Sequence, residues 1–302
     1  MSTGELSQID LSFRSYIDQQ KKSAFINLDG DSITDYSFIG DRQGLEILSK
    51  FDKLKLALES VLRIERDKVK ADLLGGGVRV TPDQFPKIYN SLVHCSKTLG
   101  IPIPETFVHQ QVELNAFTIG TNDDAVIVLN NGLVDSLSEE ELRFVIGHEC
   151  GHIQNGHVTY MFMAYLMARL AASFLWILIL PFSLALKHWS RQAEITADRA
   201  GLICCQDLEQ SKQVMVKAAL GSKELFKQVN MEEYMSQLKD LKENIGRLNE
   251  FWSSHPYLPK RVASLELYEQ SENYLYKKTG VVDNGLSLTE VDRKVIEILK
   301  IL

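Results

Sequence analysis

The run Phe144-Val-Ile-Gly-His-Glu-Cys-Gly-His-Ile153 decides how the rest of the chain is read, because it contains His-Glu-x-x-His at His148, Glu149 and His152. On a helix a four-residue step is slightly more than one turn, so both imidazoles leave the same face about one turn apart. Two such nitrogens can share one Zn²⁺ at about 2.0–2.1 Å. Glu149 lies one position on, too far around the helix for the same row of ligands. It can reach a water held by the ion, where a carboxylate acts as general base. Leu142, Val145 and Ile146 are apolar, and Gly147 and Gly151 allow close approach, which suits a buried helix better than a solvated one. Ser138-Glu-Glu-Glu141 is a capping box, and it predicts a helix carrying Glu141 to about Thr159.

A catalytic zinc site takes three protein ligands and keeps an open position, so a third ligand is required. His157 is one candidate. It follows His148 by one residue fewer than the third His of the extended zincin pattern, which sits about ten residues after the first and beyond a Gly turn. The favoured candidate is Glu194, in Arg191-Gln-Ala-Glu-Ile-Thr-Ala-Asp-Arg-Ala-Gly201. Glu194 and Asp198 stand four apart on a helix predicted from Trp189 to Cys205, so both can face the metal helix. Glu194 can then bind the ion while Asp198 accepts the free ring N–H of a ligand histidine. Alone, such a carboxylate pair is usually a solvated helix face; its weight comes from the histidine motif.

Outward from this centre, residues 1–70 read as an N-terminal extension, weakly periodic to residue 45, helical over 46–72 and without an assigned role. Residues 71–302 read as the catalytic domain. Gly75-Gly76-Gly77 reads as a turn or hinge, since no Lys-Ser/Thr follows to make a phosphate loop. Thr81 and Pro82 predict a helix from Pro82 to Leu99. Three β-type runs, Thr106–Gln110, Leu114–Gly120 and Ala125–Asn130, suggest an antiparallel meander. Further helices are expected over 208–229, 231–252, 259–277 and 288–301, the last with a capping box at Ser287 and Glu290.

Between the two ligand motifs lies an apolar stretch, 158–187, with Arg169 as its one internal charge. One ion joins His152 to Glu194, so the chain must return to the side it left, and two spans would need about 40 apolar residues. A hairpin packed on the protein or a partner, or dipping into one leaflet of a membrane, fits better than a crossing. The chain has 302 residues, 40 Asp+Glu against 33 Lys+Arg and a net charge of −7, which argues against a nucleic-acid partner. Hydrophobic residues at 45% and charged residues at 24% exclude a disordered chain, and a mean hydropathy of −0.10 excludes a many-span membrane protein. Four cysteines are too few for a disulfide scaffold. The first twenty residues hold no basic region followed by an apolar one, so the expected location is cytoplasmic, with membrane association on the cytoplasmic face left open.

These blocks, with Leu114-Asn-Ala-Phe117 upstream and Ser254-His-Pro256 and Arg261 downstream, resemble the M48 family of HtpX-type zinc metalloendopeptidases from about Val80 to about Leu267. The resemblance implies one Zn²⁺ per chain held by His148, His152 and Glu194, with Glu149 as catalytic base and Asp198 supporting a ligand histidine. It implies that Asn115, Ala116 and Phe117 lie on an edge strand that takes up substrate backbone by strand addition. His255 would stabilise the oxyanion at the scissile carbonyl, and Arg261 would pair with an acidic residue such as Asp198. Cys150 reads as a small buried residue within the motif. The expected fold is α+β, mostly helical, with a zincin-like (gluzincin) core and a small antiparallel sheet. The expected function is zinc-dependent hydrolysis of peptide bonds in peptide or protein substrates. Two other classes are a catalytically silent adaptor or membrane-docking protein of the same fold, and a zinc hydrolase of a non-peptide amide. The first has no need of Glu149, and the second has no use for an edge strand that pairs with substrate backbone.

Overall fold

The structure is a computed structural model that describes residues 34–170, 176–241, 256–281 and 284–300. Its elements in chain order are α1 (Ile39–Ser49), α2 (Asp52–Gly76), β1 (Gly77–Arg79), α3 (Pro86–Leu99), β2 (Glu105–His109), β3 (Ala116–Thr121) and β4 (Asp124–Asn130). There follow α4 (Asn131–Ser136), α5 (Glu139–Gln154), α6 (Val158–Leu170), α7 (Trp176–Cys205), α8 (Leu208–Leu220), α9 (Lys223–Phe226) and α10 (Met231–Leu241). The last helices are α11 (Leu258–Glu269), α12 (Glu272–Thr279) and α13 (Leu288–Leu299).

Helix α5 begins at the capping box, where Ser138 Oγ accepts from the Glu141 N–H at 3.2 Å and the Ser138 N–H donates to Glu141 Oε2 at 2.9 Å. It ends earlier than the expected Thr159. Gly156 takes the left-handed conformation at φ 70°, which only glycine adopts without cost, and the chain turns there into α6. Helix α5 packs face to face on α7, and glycines make the approach close. A Cβ on Gly147 would stand 2.7 Å from Cys204 Cβ and 3.1 Å from Gly201 Cα; one on Gly151 would stand 2.6 Å from Ala200 Cβ.

The sheet is mixed, in the order β1-β2-β4-β3, and this corrects the expected antiparallel meander. Strands β3 and β4 form an antiparallel hairpin, but β4 runs parallel to β2 and sits between it and β3. The reason lies in the side chains of β4: Val126, Ile127, Val128 and Leu129 are all buried, and a strand apolar on both faces belongs inside a sheet. Strand β3, with Thr118 buried and Phe117 exposed, takes the edge. Two boundaries also move. The helix α2 continues through Gly75 and Gly76, and the chain becomes extended only at Gly77, where β1 pairs with β2. Helix α3 starts at Pro86, not Pro82, because Thr81 and Gln84 exchange backbone hydrogen bonds in a turn that uses up the first proline.

The segment ahead of the sheet is part of the packed structure. Tyr36 and Phe38 join the main core with Leu142, Ile146 and Leu202. Arg199 on α7 is stacked between the rings of Phe38 and Tyr268 and bonded to Asp292 on α13 at 2.6 Å. Of the apolar stretch 158–187, α6 and the start of α7 are helical and pack on each other, and 171–175 lie outside the described residues. Tyr160, Phe162, Met163 and Met167 pack on Phe182, Leu186 and Trp189, with Leu48 and Leu62 covering them. Among the described residues no helix is long and apolar enough to cross a membrane.

The close crossing of α5 and α7 gives a stability prediction. Alanine is intrinsically the better helix former, by about 0.5–1 kcal/mol over glycine. Gly147→Ala should nonetheless destabilise the protein by about 1–3 kcal/mol, because the added methyl meets atoms near the helix axis that cannot rotate away. Urea denaturation measures this; a midpoint equal to or above wild type would contradict the crossing.

Candidate metal centre

The crossing brings together residues of two helices. His148 Nε2 lies 3.2 Å from His152 Nε2, His148 Nε2 lies 3.7 Å from Glu194 Oε2, and His152 Nε2 lies 3.6 Å from Glu194 Oε1. Four ligands at about 2.0–2.1 Å from a tetrahedral ion stand about 3.3–3.4 Å from one another. The two imidazole nitrogens and the two oxygens of the Glu194 carboxylate therefore have the chemistry, and roughly the spacing, of three residues sharing such a shell, and one donor atom from each residue lies within 4.8 Å of the others. Among the described residues this is the group that could hold a metal ion. His152 and Glu194 are buried, while His148 keeps some exposure.

The surroundings prepare these atoms for a cation. Asp198 Oδ1 lies 3.0 Å from His148 Nδ1; a carboxylate can only accept, so the ring proton sits on Nδ1 and the Nε2 lone pair is left for a metal. Arg261 holds Asp198 with two hydrogen bonds, Nε to Oδ2 at 2.8 Å and Nη2 to Oδ1 at 2.7 Å, and Nη1 reaches Glu194 Oε2 at 3.1 Å. Burial alone would push Asp198 up, but the guanidinium and His148 outweigh it and hold the carboxyl below its ordinary range. Burial would likewise lower His148, yet the carboxylates of Asp198, Glu194 and Glu149 together raise it. The raised imidazole reports the negative field of the three carboxylates at His148, and the lowered carboxyl reports the positive field of Arg261 and His148 at Asp198.

Glu149, one step round α5, is buried and faces the sheet, where its Oε2 accepts from Thr118 Oγ1 at 2.6 Å. Thr118 stands on β3, two residues after Ala116 on the same face. Sequence reading missed this contact, although the alternation of a strand starting at the Asn-Ala-Phe block contains its signal. Asn115 and Phe117 are exposed, Ala116 is half-buried, and β3 is the sheet edge. The Asn115 carbonyl accepts from the Asn130 N–H at 3.1 Å, which ties the start of the block to the end of β4.

Two other expected residues fall differently. His157, the second candidate for third ligand, is not in the donor group. It is fully buried behind it, with Nδ1 3.0 Å from His152 Nδ1 and Nε2 3.0 Å from Asp41 Oδ2. The turn at Gly156 removes it from the ligand face. His255 lies outside the described residues. Cys150 is buried, and burial pushes its thiol well up, in keeping with a packing role. Asp41 carries no sequence signal, since nothing in its spacing ties it to α5.

A pair of imidazoles and a carboxylate close together, with a second carboxylate beside them, form a group that could hold a metal ion, the donor set that hydrolytic metal sites use. The family profile described as Peptidase family M48 matches residues 82–269, and the chain belongs to that metallopeptidase family. It is 26% identical over 220 residues to the plastoglobule-localized metallopeptidase 48, chloroplastic, of Arabidopsis thaliana, a match covering 71% of this chain and 63% of that protein. It is 27% identical over 215 residues to Protease HtpX of Acinetobacter baumannii (strain AYE), covering 59% of this chain and 70% of the relative. Over a shorter stretch of 86 residues it is 31% identical to the Protease HtpX homolog of Tropheryma whipplei (strain Twist), 28% of this chain and 30% of that one. No solved structure gave a significant match.

The ion pairs beneath the ligands make a prediction on pH. With its carboxyl held low, Asp198 contributes stability that is present above its unfolded value of about 3.9 and lost as pH falls through the lower folded value. Arg261→Met should therefore cost chelator-treated protein about 3–5 kcal/mol near neutrality, as for a broken buried pair. The gap to wild type should narrow as pH drops below about 4. Urea unfolding at a series of pH values checks this, and a gap independent of pH would refute the pairing.

Proposed function

We propose that the chain is a zinc-dependent metalloendopeptidase, with His148, His152 and Glu194 holding one Zn²⁺ and Glu149 serving as general base. The observation that carries this reading is the placement of Glu149. It sits one residue from a ligand, oriented by Thr118 on an edge strand, so base and substrate-pairing edge share one contact. When bound, zinc supplies Lewis-acid polarisation of the scissile carbonyl and makes water a competent nucleophile near neutral pH.

The chain's own residues do the rest. A peptide added to β3 in extended conformation would present its backbone to the exposed Asn115, with Phe117 available to a substrate side chain. Glu149 takes the proton of the attacking water and delivers it to the departing amine, while the Thr118 hydroxyl holds the carboxylate in place. Because the nucleophile is water, no covalent enzyme intermediate forms. Asp198 and Arg261 keep His148 and Glu194 in their orientations. His255 is proposed as the oxyanion partner. A silent adaptor would have no use for a base seated in this way, which is why the proteolytic reading is preferred. Peptides or proteins of the cytoplasm are the proposed substrates.

The test pairs two variants. Glu149→Gln should keep zinc near wild-type occupancy and lose hydrolysis of a casein or peptide library by about 10²–10⁴-fold, since an amide cannot accept the proton. Glu194→Ala should lose zinc and hydrolysis together. Wild-type hydrolysis that survives a chelator, or full activity in Glu149→Gln, would overturn the proposal.

A further inference from the structure

We propose that Asp41, acting through His157, is a positioning residue for the metal ligand His152. The inference rests on the reading of His152 as a zinc ligand, and it concerns a residue of α1, outside the segment 82–269 that the family profile matches.

The argument follows the protons. Asp41 is buried, and three donors converge on its carboxylate: Trp189 Nε1 on Oδ1 at 2.8 Å, with Thr196 Oγ1 at 2.7 Å and His157 Nε2 at 3.0 Å on Oδ2. The Thr196 hydroxyl also accepts from the Phe38 N–H at 3.0 Å, so its own proton is directed at Asp41. A carboxylate offers no proton, so the His157 ring carries a hydrogen on Nε2, and with that one ring proton it presents a lone pair at Nδ1. That lone pair lies 3.0 Å from His152 Nδ1, which must then be the donor. With its proton fixed on Nδ1, His152 has Nε2 left as a lone pair, and Nε2 is the atom that meets His148 and Glu194. Edge-to-face contacts of the His157 ring with His152 and Trp189 hold its plane. Each ligand histidine is thus backed by a buried carboxylate, His148 directly by Asp198 and His152 through His157 by Asp41.

Such a chain can be inverted without changing its shape. Asp41→Asn inverts it when the amide oxygen turns to Trp189, which can only donate. The amide NH₂ then faces Thr196 and His157. His157 Nε2 becomes an acceptor, its proton moves to Nδ1, and His152 is forced to hold its own proton on Nε2, where the metal should bind.

The experiment uses the full-length chain labelled with ¹⁵N-histidine. Long-range proton–nitrogen correlation spectra read which ring nitrogen is protonated, and competition with a chelator reads zinc affinity. Wild type should show His157 protonated on Nε2 and His152 on Nδ1. Asp41→Asn should reverse His157 and weaken zinc binding by about 10–100-fold, the usual cost of removing an outer partner of a ligand. His157→Gln, whose amide can donate to Asp41 and accept from His152 in the same sense, should bind zinc more tightly than His157→Phe. Should Asp41→Asn fail to fold, the wild-type spectrum alone decides. His157 protonated on Nδ1 in wild type, or wild-type zinc affinity in Asp41→Asn, would overturn the inference and leave the ligand set standing. A wild type that binds no zinc would overturn the ligand set itself.

Discussion

Everything at the candidate site depends on how closely α5 and α7 can cross. Each helix alone offers an incomplete set: two imidazoles and the Glu149 carboxylate on one, Glu194 and its neighbour Asp198 on the other. Side chains of three residues from two helices meet at 3.2–3.7 Å only because Gly147 and Gly151 present no side chain to Cys204 and Ala200. Interiors are close-packed, so a methylene more on either surface would move the ligands as well as the helices. Beside the crossing, Tyr160, Phe162, Met163 and Met167 of α6 pack on Phe182, Leu186 and Trp189 of α7.

Bringing acidic groups together in a buried place is costly unless each charge is answered. The structure answers them in layers. Arg261 lies against both Glu194 and Asp198, and the ring N–H of His148 lies against Asp198. Asp41, further back, is answered by an indole, a hydroxyl and an imidazole. What remains is a negative field focused on the lone pairs of two imidazoles and one carboxylate, which is the environment a divalent cation neutralises. The same hydrogen bonds set the orientation of the His148 ring and of the Asp198 and Glu194 carboxylates.

The helical part of this site was legible from the sequence because helix periodicity is short-range. His148 and His152 fall one turn apart by arithmetic, with Glu149 one step round from His148, Ser138 and Glu141 mark the start, and Glu194 and Asp198 repeat the four-residue spacing. The sheet was read less well. Alternation identified the three runs but not their order, since pairing depends on which strand is apolar on both faces, and the buried run 126–129 took the central place. Helix ends moved for local reasons: the Thr81–Gln84 turn displaced the start of α3 to Pro86, and Gly156 stopped α5 short of Thr159. His157 drew notice through its distance from His148, yet its partner Asp41 had no signal at all. A buried carboxylate that meets its histidine across the fold leaves no periodicity to read, and neither does the Thr118–Glu149 contact except through strand alternation.

The central claim is that one zinc ion sits between His148, His152 and Glu194. It is tested most directly by anomalous diffraction at the zinc edge from crystals of the purified full chain. The account predicts a single peak about 2.0–2.1 Å from His148 Nε2, His152 Nε2 and a Glu194 carboxylate oxygen. No peak there, or a peak among the buried thiols of Cys95, Cys150 and Cys204 instead, would contradict it.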